Sequence, residues 1–184
     1  MVKAFKARRS MSKMHEHETH TVKPVLFGII ITSDKVFEGK RIDTLTSLIE
    51  GKILEKGHKV IYKTIVPNNE SLLMKALKKA CRKGCHTVLI TGGTGLSPRD
   101  ISVDTLEKVA YRRIPGFGEL FRYLTFLKHG SLAWLSRASA YVVSINNKTC
   151  LVFVMPGSID AVQLALDQVI LPEISHAVGE LLRK

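Results

Sequence analysis

Aromatic side chains are scarce: one Trp, four Tyr and seven Phe in 184 residues. They are not interleaved with a basic stripe, and no recognised nucleic-acid motif occurs, so nucleic acid is not the expected partner. Cysteine is scarce too. Cys81, Cys85 and Cys150 are odd in number and form no CxxC pair. That argues against a disulfide framework or a four-ligand zinc site and suits a reducing compartment. Cys81 and Cys85, four apart on an expected helix and its end, read as small buried side chains. No apolar run approaches the ~20 residues of a membrane helix. The N-terminus carries Lys3, Lys6, Arg8 and Arg9 but lacks the apolar stretch of a secretory signal. Residues 1–14 are acid-free, as in a transit peptide, but Glu16 and Glu18 follow at once. The expected location is the cytoplasm, with no membrane partner.

Acidic residues are outnumbered, 16 Asp and Glu against 28 Lys and Arg, for a net charge of +12. Residues 1–23 hold +4 of this, from six Lys and Arg against two Glu. The remaining charge steers anionic partners towards the body of the protein without choosing among them. Residues 1–23 read as a solvated arm bearing His15-x-His17-x-x-His20, and residues 24–184 as one domain.

From Val25 to Ile31 a continuous apolar run predicts a strand buried on both faces. Leu45, Leu48, Ile49 and Ile53 recur at helical spacing until Gly57. Lys59 to Val66 alternates as a strand. Asn68 or Asn69 can cap a helix with the apolar face Leu72, Leu73, Ala76, Leu77 and Ala80, and Thr87 to Thr91 is the next strand. This alternation implies a parallel sheet with helices on both faces. Further on, Ser102 is expected to cap a helix from Val103 to Ala110, and Pro115 to start another reaching about Lys128. Two β-rich runs flank Asn146-Asn147-Lys148 as a hairpin. Pro156-Gly157-Ser158 leads into a helix to about Ile170, and Pro172 opens the last. The fold class is α/β: a three-layer α/β/α sandwich, its sheet mostly parallel with one antiparallel strand.

Ligands of open α/β sheets bind beyond the carboxyl ends of the strands. Three loops fall there: Thr32-Ser33-Asp34, the stretch from Thr91 to Asp100, and Pro156-Gly157-Ser158. In the middle one, Gly92, Gly93 and Gly95 leave backbone N–H groups bare, able to close around phosphate oxygens. It has neither P-loop nor dinucleotide-fingerprint spacing. Arg99 and Asp100 set a phosphate clamp beside a carboxylate able to hold Mg²⁺. Ser33 and Asp34 are either ligand contacts or a helix-start cap.

Thr91-Gly92-Gly93-Thr94-Gly95-Leu96-Ser97-Pro98-Arg99-Asp100-Ile101-Ser102 resembles the signature of the molybdopterin adenylyltransferase family, which includes the MogA/MoaB proteins and the gephyrin N-terminal domain. Ile31-Thr32-Ser33-Asp34, Val66-Pro67, Ile114-Pro115-Gly116-Phe117-Gly118-Glu119, Leu135-Ser136-Arg137 and Met155-Pro156-Gly157-Ser158 follow in the family's order. The resemblance covers roughly residues 25 to 182. It implies a homotrimer or hexamer, with other cofactor-biosynthesis proteins as further partners. It also implies a reaction: molybdopterin's terminal phosphate attacks the α-phosphate of ATP, with Mg²⁺, giving adenylyl-molybdopterin and pyrophosphate. Ser33, Asp34, Gly92, Gly93, Thr94, Gly95, Ser97, Arg99, Ser136, Arg137, Pro156, Gly157 and Ser158 are then the substrate and nucleotide contacts, and Asp100 is catalytic and metal-binding.

The family's second catalytic aspartate falls at Asn68, and no aspartate occurs between Asp43 and Asp100. Glu70 is the only carboxylate nearby. Thr46 stands at or near the position where relatives usually carry glycine. Asn is a weaker Mg²⁺ ligand than Asp, so the alternative is a molybdopterin-binding relative with weak or no turnover.

Overall fold

The computed structural model describes residues 20–183. The arm read at residues 1–23 falls almost wholly outside that range, as do His15 and His17 of the histidine cluster. The strands are β1 (Leu26–Thr32), β2 (Lys59–Val66), β3 (Thr87–Thr91), β4 (Ala110–Ile114), β5 (Ser139–Ile145) and β6 (Lys148–Met155). They make one sheet in the order β2-β1-β3-β6-β5-β4. β1 pairs parallel with β2 and β3, and β3 with β6. β5 is antiparallel to both β4 and β6, so it alone runs against the rest. Thr32 lies beside Val66, Ile31 beside Thr91 and Thr91 beside Met155, which brings four strand ends level on one rim.

The helices are α1 (Asp34–Phe37), α2 (Leu45–Glu55), α3 (Glu70–Arg82), α4 (Ser102–Glu107), α5 (Pro115–His129), α6 (Ile159–Ala165) and α7 (Ile174–Leu182). A 3₁₀ segment, Gly130–Leu135, follows α5, and a π-turn, Leu166–Ile170, follows α6. Alternate strand residues divide the core. Phe27, Ile29, Leu89 and Phe153 pack with Ile49 and Ile53 of α2, Phe117 and Phe121 of α5, Val162 of α6 and Val178 of α7. Ile30, Val88, Ile90 and Val154 pack with Leu73 and Leu77 of α3 and Leu106 of α4. The result is the expected three-layer sandwich.

Local chemistry explains most element ends. Asn69, not Asn68, caps α3, its Oδ1 accepting Leu72 N–H at 3.0 Å. Leu73, Ala76, Leu77 and Ala80 of α3 are buried, and each large one contributes roughly 2 kcal/mol by leaving water. Leu72, read as part of that face, is exposed. Asn146 and Asn147, at φ of 51° and 61°, form the two-residue left-handed turn that suits a hairpin's twist. Asp43 Oδ1 accepts the N–H groups of Leu45 and Thr46, starting α2. Thr46 is therefore a plain first-turn residue here.

Three expectations need correction. α4 stops at Glu107 because Ala110–Ile114 is recruited as β4 against β5. Ser102 does not cap α4: the cap position is Ile101, and the buried Ser102 Oγ has no partner among the described residues. Pro172 lies in a turn, and the last helix starts at Ile174.

Candidate active site

The sheet's order reverses between β1 and β3, the place where an open α/β sheet leaves a crevice. The loops after β1, β3 and β6 meet there. Gly92 and Gly93 take φ of +97° and +66°, strained for any side chain. A Cβ on Gly92 would strike the Thr32 carbonyl, and one on Gly93 the Ser102 hydroxyl. At Gly95 it would lie 2.7 Å from Asp100 Oδ2. The glycines let the loop turn tightly over the ends of β1 and α4.

Arg137 fixes the loop from below. Its Nε donates to Gly95 O at 2.8 Å, its Nη2 to Asp100 O at 2.6 Å and its Nη1 to Asp104 Oδ1 at 2.7 Å. Its backbone N–H donates to Thr94 O at 2.9 Å. Asp104, as the bound partner, is held below the usual carboxylate range, and Arg137 is held charged. Ser102 N–H takes Gly93 O. With these carbonyls turned inward, the N–H groups of Gly93, Thr94 and Gly95 donate to no acceptor among the described residues. Three consecutive bare donors suit an anion, as a backbone nest does.

These three residues belong to the lining of a cleft of about 700 Å³. Gly93, Thr94, Gly95, Asp100, Ser136, Pro156, Gly157 and Ser158 line it, so eight of the expected site residues converge on one cavity. The volume suits a drug-sized ligand. Ser158 caps α6, its Oγ accepting Ala161 N–H, and so presents that helix's N-terminus to the cavity. Asp100 Oδ2 accepts Ser97 N–H at 3.0 Å, and Arg99 N–H donates to Ser97 Oγ. The second Asp100 oxygen has no partner among the described residues. Ser33 lines a smaller pocket of about 150 Å³, which shares Arg41 and Gly157 with the cleft.

Asp34, Asn68, Gly92, Ser97, Arg99 and Arg137 do not line the main cleft. Ser33 is a helix cap, its Oγ accepting Val36 N–H. Asp34 and Asn68 form a closed pair. Asn68 N–H donates to Asp34 Oδ1 at 2.8 Å and Asn68 Nδ2 to Oδ2 at 3.0 Å. The Asn68 amide, then its backbone N–H and the charge of Arg99, lower the Asp34 pKa. Asn68 Oδ1 is buried without a partner among the described residues. Glu70 is spent on Lys108, at 2.6 Å. Among the described residues no group of three or more His, Cys, Asp or Glu is arranged to hold a metal. A hard cation here would rest on Asp100, with substrate phosphates and water completing its shell, which is how Mg²⁺ is commonly held.

The opposite wall was not anticipated. Phe121, Thr125 and His129 of α5, Leu132, and Ile159 and Leu164 of α6 line it, with Arg41 at the rim. A sequence signal existed: Phe117, Phe121, Thr125 and His129 recur every four residues, an inward stripe that turns from apolar to polar as it leaves the core. Outside the cleft, Lys75, Lys78 and Arg82 of α3 line a groove of about 400 Å³ without aromatics.

Residues 28–176 match the family described as a probable molybdopterin binding domain. The molybdopterin adenylyltransferase of Pyrococcus furiosus is 34% identical over 89% of this chain and 95% of that protein. The molybdenum cofactor biosynthesis protein B of Bacillus anthracis is 36% identical over 92% and 98%. The crystal structure of the tungsten cofactor synthesizing protein MoaB from Pyrococcus furiosus superimposes with a TM-score of 0.81 at 32% identity, over 87% of this chain and 98% of that one. With a family match over residues 28–176, relatives above 30% identity along most of the chain and the same overall fold, the chain belongs to the molybdopterin-binding domain family of molybdenum cofactor biosynthesis.

Proposed function

We propose that this protein adenylylates molybdopterin with ATP. The terminal phosphate oxygen of molybdopterin attacks the α-phosphorus of ATP, the bond to the bridging oxygen breaks, and pyrophosphate leaves with that electron pair. The reaction brings two polyanions together, so the chief task is to offset their repulsion. The observation that carries the reading is the bare N–H series of Gly93, Thr94 and Gly95 in the lining of the cleft, its carbonyls held back by Ser102 and Arg137. These donors would hold a phosphate, and the N-terminus of α6 at Ser158 adds a favourable dipole. Phe121, Leu132 and Leu164 would cover a flat ring and exclude water. Asp100 would hold Mg²⁺, which when bound screens the phosphates and stabilises charge on pyrophosphate.

A second reading, a pterin-binding relative without fast turnover, is favoured by Asn68. Its amide is committed to Asp34, so no second carboxylate is offered to a cation. Self-association and a cytoplasmic location belong to the same proposal. Tyr123, Phe126, Leu127 and Trp134 of α5 and the segment after it are more than half exposed, an apolar surface suited to a second copy. No helix among the described residues is long and apolar enough to cross a membrane.

The test mixes protein, molybdopterin, ATP and Mg²⁺ and follows pyrophosphate release with binding calorimetry in parallel. Pyrophosphate released only when molybdopterin is present supports the enzyme. Binding without release supports the second reading, and neither removes both.

A further inference from the structure

At the end of the sheet away from the cleft, all three cysteines are buried together. Cys81 closes the last turn of α3, Cys85 precedes β3 and Cys150 lies near the start of β6. Cys81 and Cys150 are fully enclosed, and Cys85 nearly so. The Cys150 thiol donates to Cys81 Sγ across 2.9 Å and also points at Cys85 O, 3.1 Å away. That hydrogen bond lowers the Cys81 pKa, and being its donor raises that of Cys150. Cys85 is different: burial pushes it up to about 12, and its sulfur packs against Gly28 instead of a thiol.

Two thiols on separate elements, 69 residues apart in sequence and in sulfur contact, need a closure of only about 0.9 Å to reach bond length. We propose that Cys81 and Cys150 are a redox-modification site that a peroxide converts to an intramolecular disulfide, tying α3 to β6. The Cys81 thiolate attacks one peroxide oxygen, whose O–O bond breaks; Cys81 becomes a sulfenic acid and hydroxide leaves. The Cys150 sulfur then attacks the Cys81 sulfur, the S–O bond breaks, and water departs with the Cys150 proton. In total two thiols are oxidised by two electrons and one hydrogen peroxide is reduced to two waters.

Burial sets the selectivity. Hydrogen peroxide is close to water in size and can enter when the end of α3 frays. A bulky disulfide such as oxidised glutathione cannot approach either sulfur. The site is remote from the proposed active cleft, and the inference does not depend on that function.

The experiment treats the full chain with hydrogen peroxide or with oxidised glutathione, denatures it, alkylates the free thiols and maps the peptides by mass spectrometry. Peroxide should yield a Cys81–Cys150 cross-linked peptide with Cys85 still alkylated, reversed by dithiothreitol, and glutathione disulfide should leave all three cysteines alkylated. The oxidised protein should melt at least ~5 °C higher, because a long loop is closed. Cys85→Ser should still cross-link, whereas Cys150→Ser should not. Three alkylatable thiols after peroxide, over-oxidation of Cys81 without a link, or a bond through Cys85 would each overturn the proposal. The first two outcomes are read on the wild-type chain, so they do not depend on a variant folding.

Discussion

Replacing Asn68 with Asp would supply the carboxylate that the family resemblance implies at this position, where it would meet Asp34. Asn68 Nδ2 now donates to Asp34 Oδ2 at 3.0 Å. In Asn68→Asp that charge-assisted bond, worth about 1.5–3 kcal/mol, is replaced by two facing carboxylates. Two charges about 3 Å apart repel by about 5 kcal/mol at an effective dielectric of about 20. Both groups are partly solvated and the pair can take up a proton, so the net loss should be nearer 2–3 kcal/mol. For a chain this size that lowers Tm by about 4–12 °C at neutral pH. The sign with pH follows. One carboxyl of the pair acquires a folded-state pKa above its unfolded value, so the deficit is present above that pKa and shrinks as pH falls through it. Thermal melts of wild type and Asn68→Asp between about pH 4 and 8, with and without Mg²⁺, would measure this. The variant's deficit should shrink on acidification, and Mg²⁺ should raise its Tm more than the wild type's. Equal melts at every pH, with no response to Mg²⁺, would refute the Asp34–Asn68 argument. Where the new carboxylate does hold Mg²⁺, adenylyl transfer should rise at least ~10-fold, ~1.4 kcal/mol of barrier.

Asp100→Asn should lower turnover by ~100-fold or more, ~3 kcal/mol, with a Tm within a few degrees of wild type, since an amide oxygen can still accept Ser97 N–H. Arg137→Lys should weaken nucleotide binding and cost about 2 kcal/mol in denaturant melts, because one ammonium cannot replace a guanidinium spanning Gly95 O, Asp100 O and Asp104. His58 and His86 accept the N–H groups of Val25 and Leu26 through Nδ1, and burial lowers both pKa values. The unfolded chain therefore protonates them first. Their contribution is complete above about pH 6.5 and is lost as pH falls below it, so Tm should be level near pH 7–8 and decline from about 6.5 to 5. A flat profile there would contradict the assigned acceptor role.

The parts of the fold visible in sequence are those governed by local rules. β1 is buried and reads as an unbroken apolar run, while Asn146-Asn147 and Ser158 carry their own turn and cap chemistry. β4 was hidden because it is an edge strand: Tyr111, Arg112 and Arg113 are all exposed, and only pairing with β5 makes them a strand. Ser102 misled for a related reason. Its neighbours suit a cap, yet Gly93 folds over it and it is buried instead. In the site, the glycine loop and Asp100 were legible because glycine and carboxylate chemistry is local. The α5 wall was not, since Thr125 and His129 come to line a cleft only when α5 packs across from α6. Nor does sequence alone show that Arg137 braces the loop from beneath, or that Asn68 is bound to Asp34.

Two features of the proposed reaction can be read together: that Gly93, Thr94 and Gly95 hold a phosphate of the substrates, and that the α-phosphate of ATP is the one attacked. The most direct measurement supplies ATP labelled with ³²P at either the α or the γ position, together with molybdopterin and Mg²⁺, and locates the label. α-Label should enter the pterin product, and γ-label should leave in pyrophosphate. Label from the γ position in the pterin would mean phosphoryl instead of adenylyl transfer. No label from either position, together with no measurable nucleotide binding, would contradict the role given to Gly93, Thr94 and Gly95.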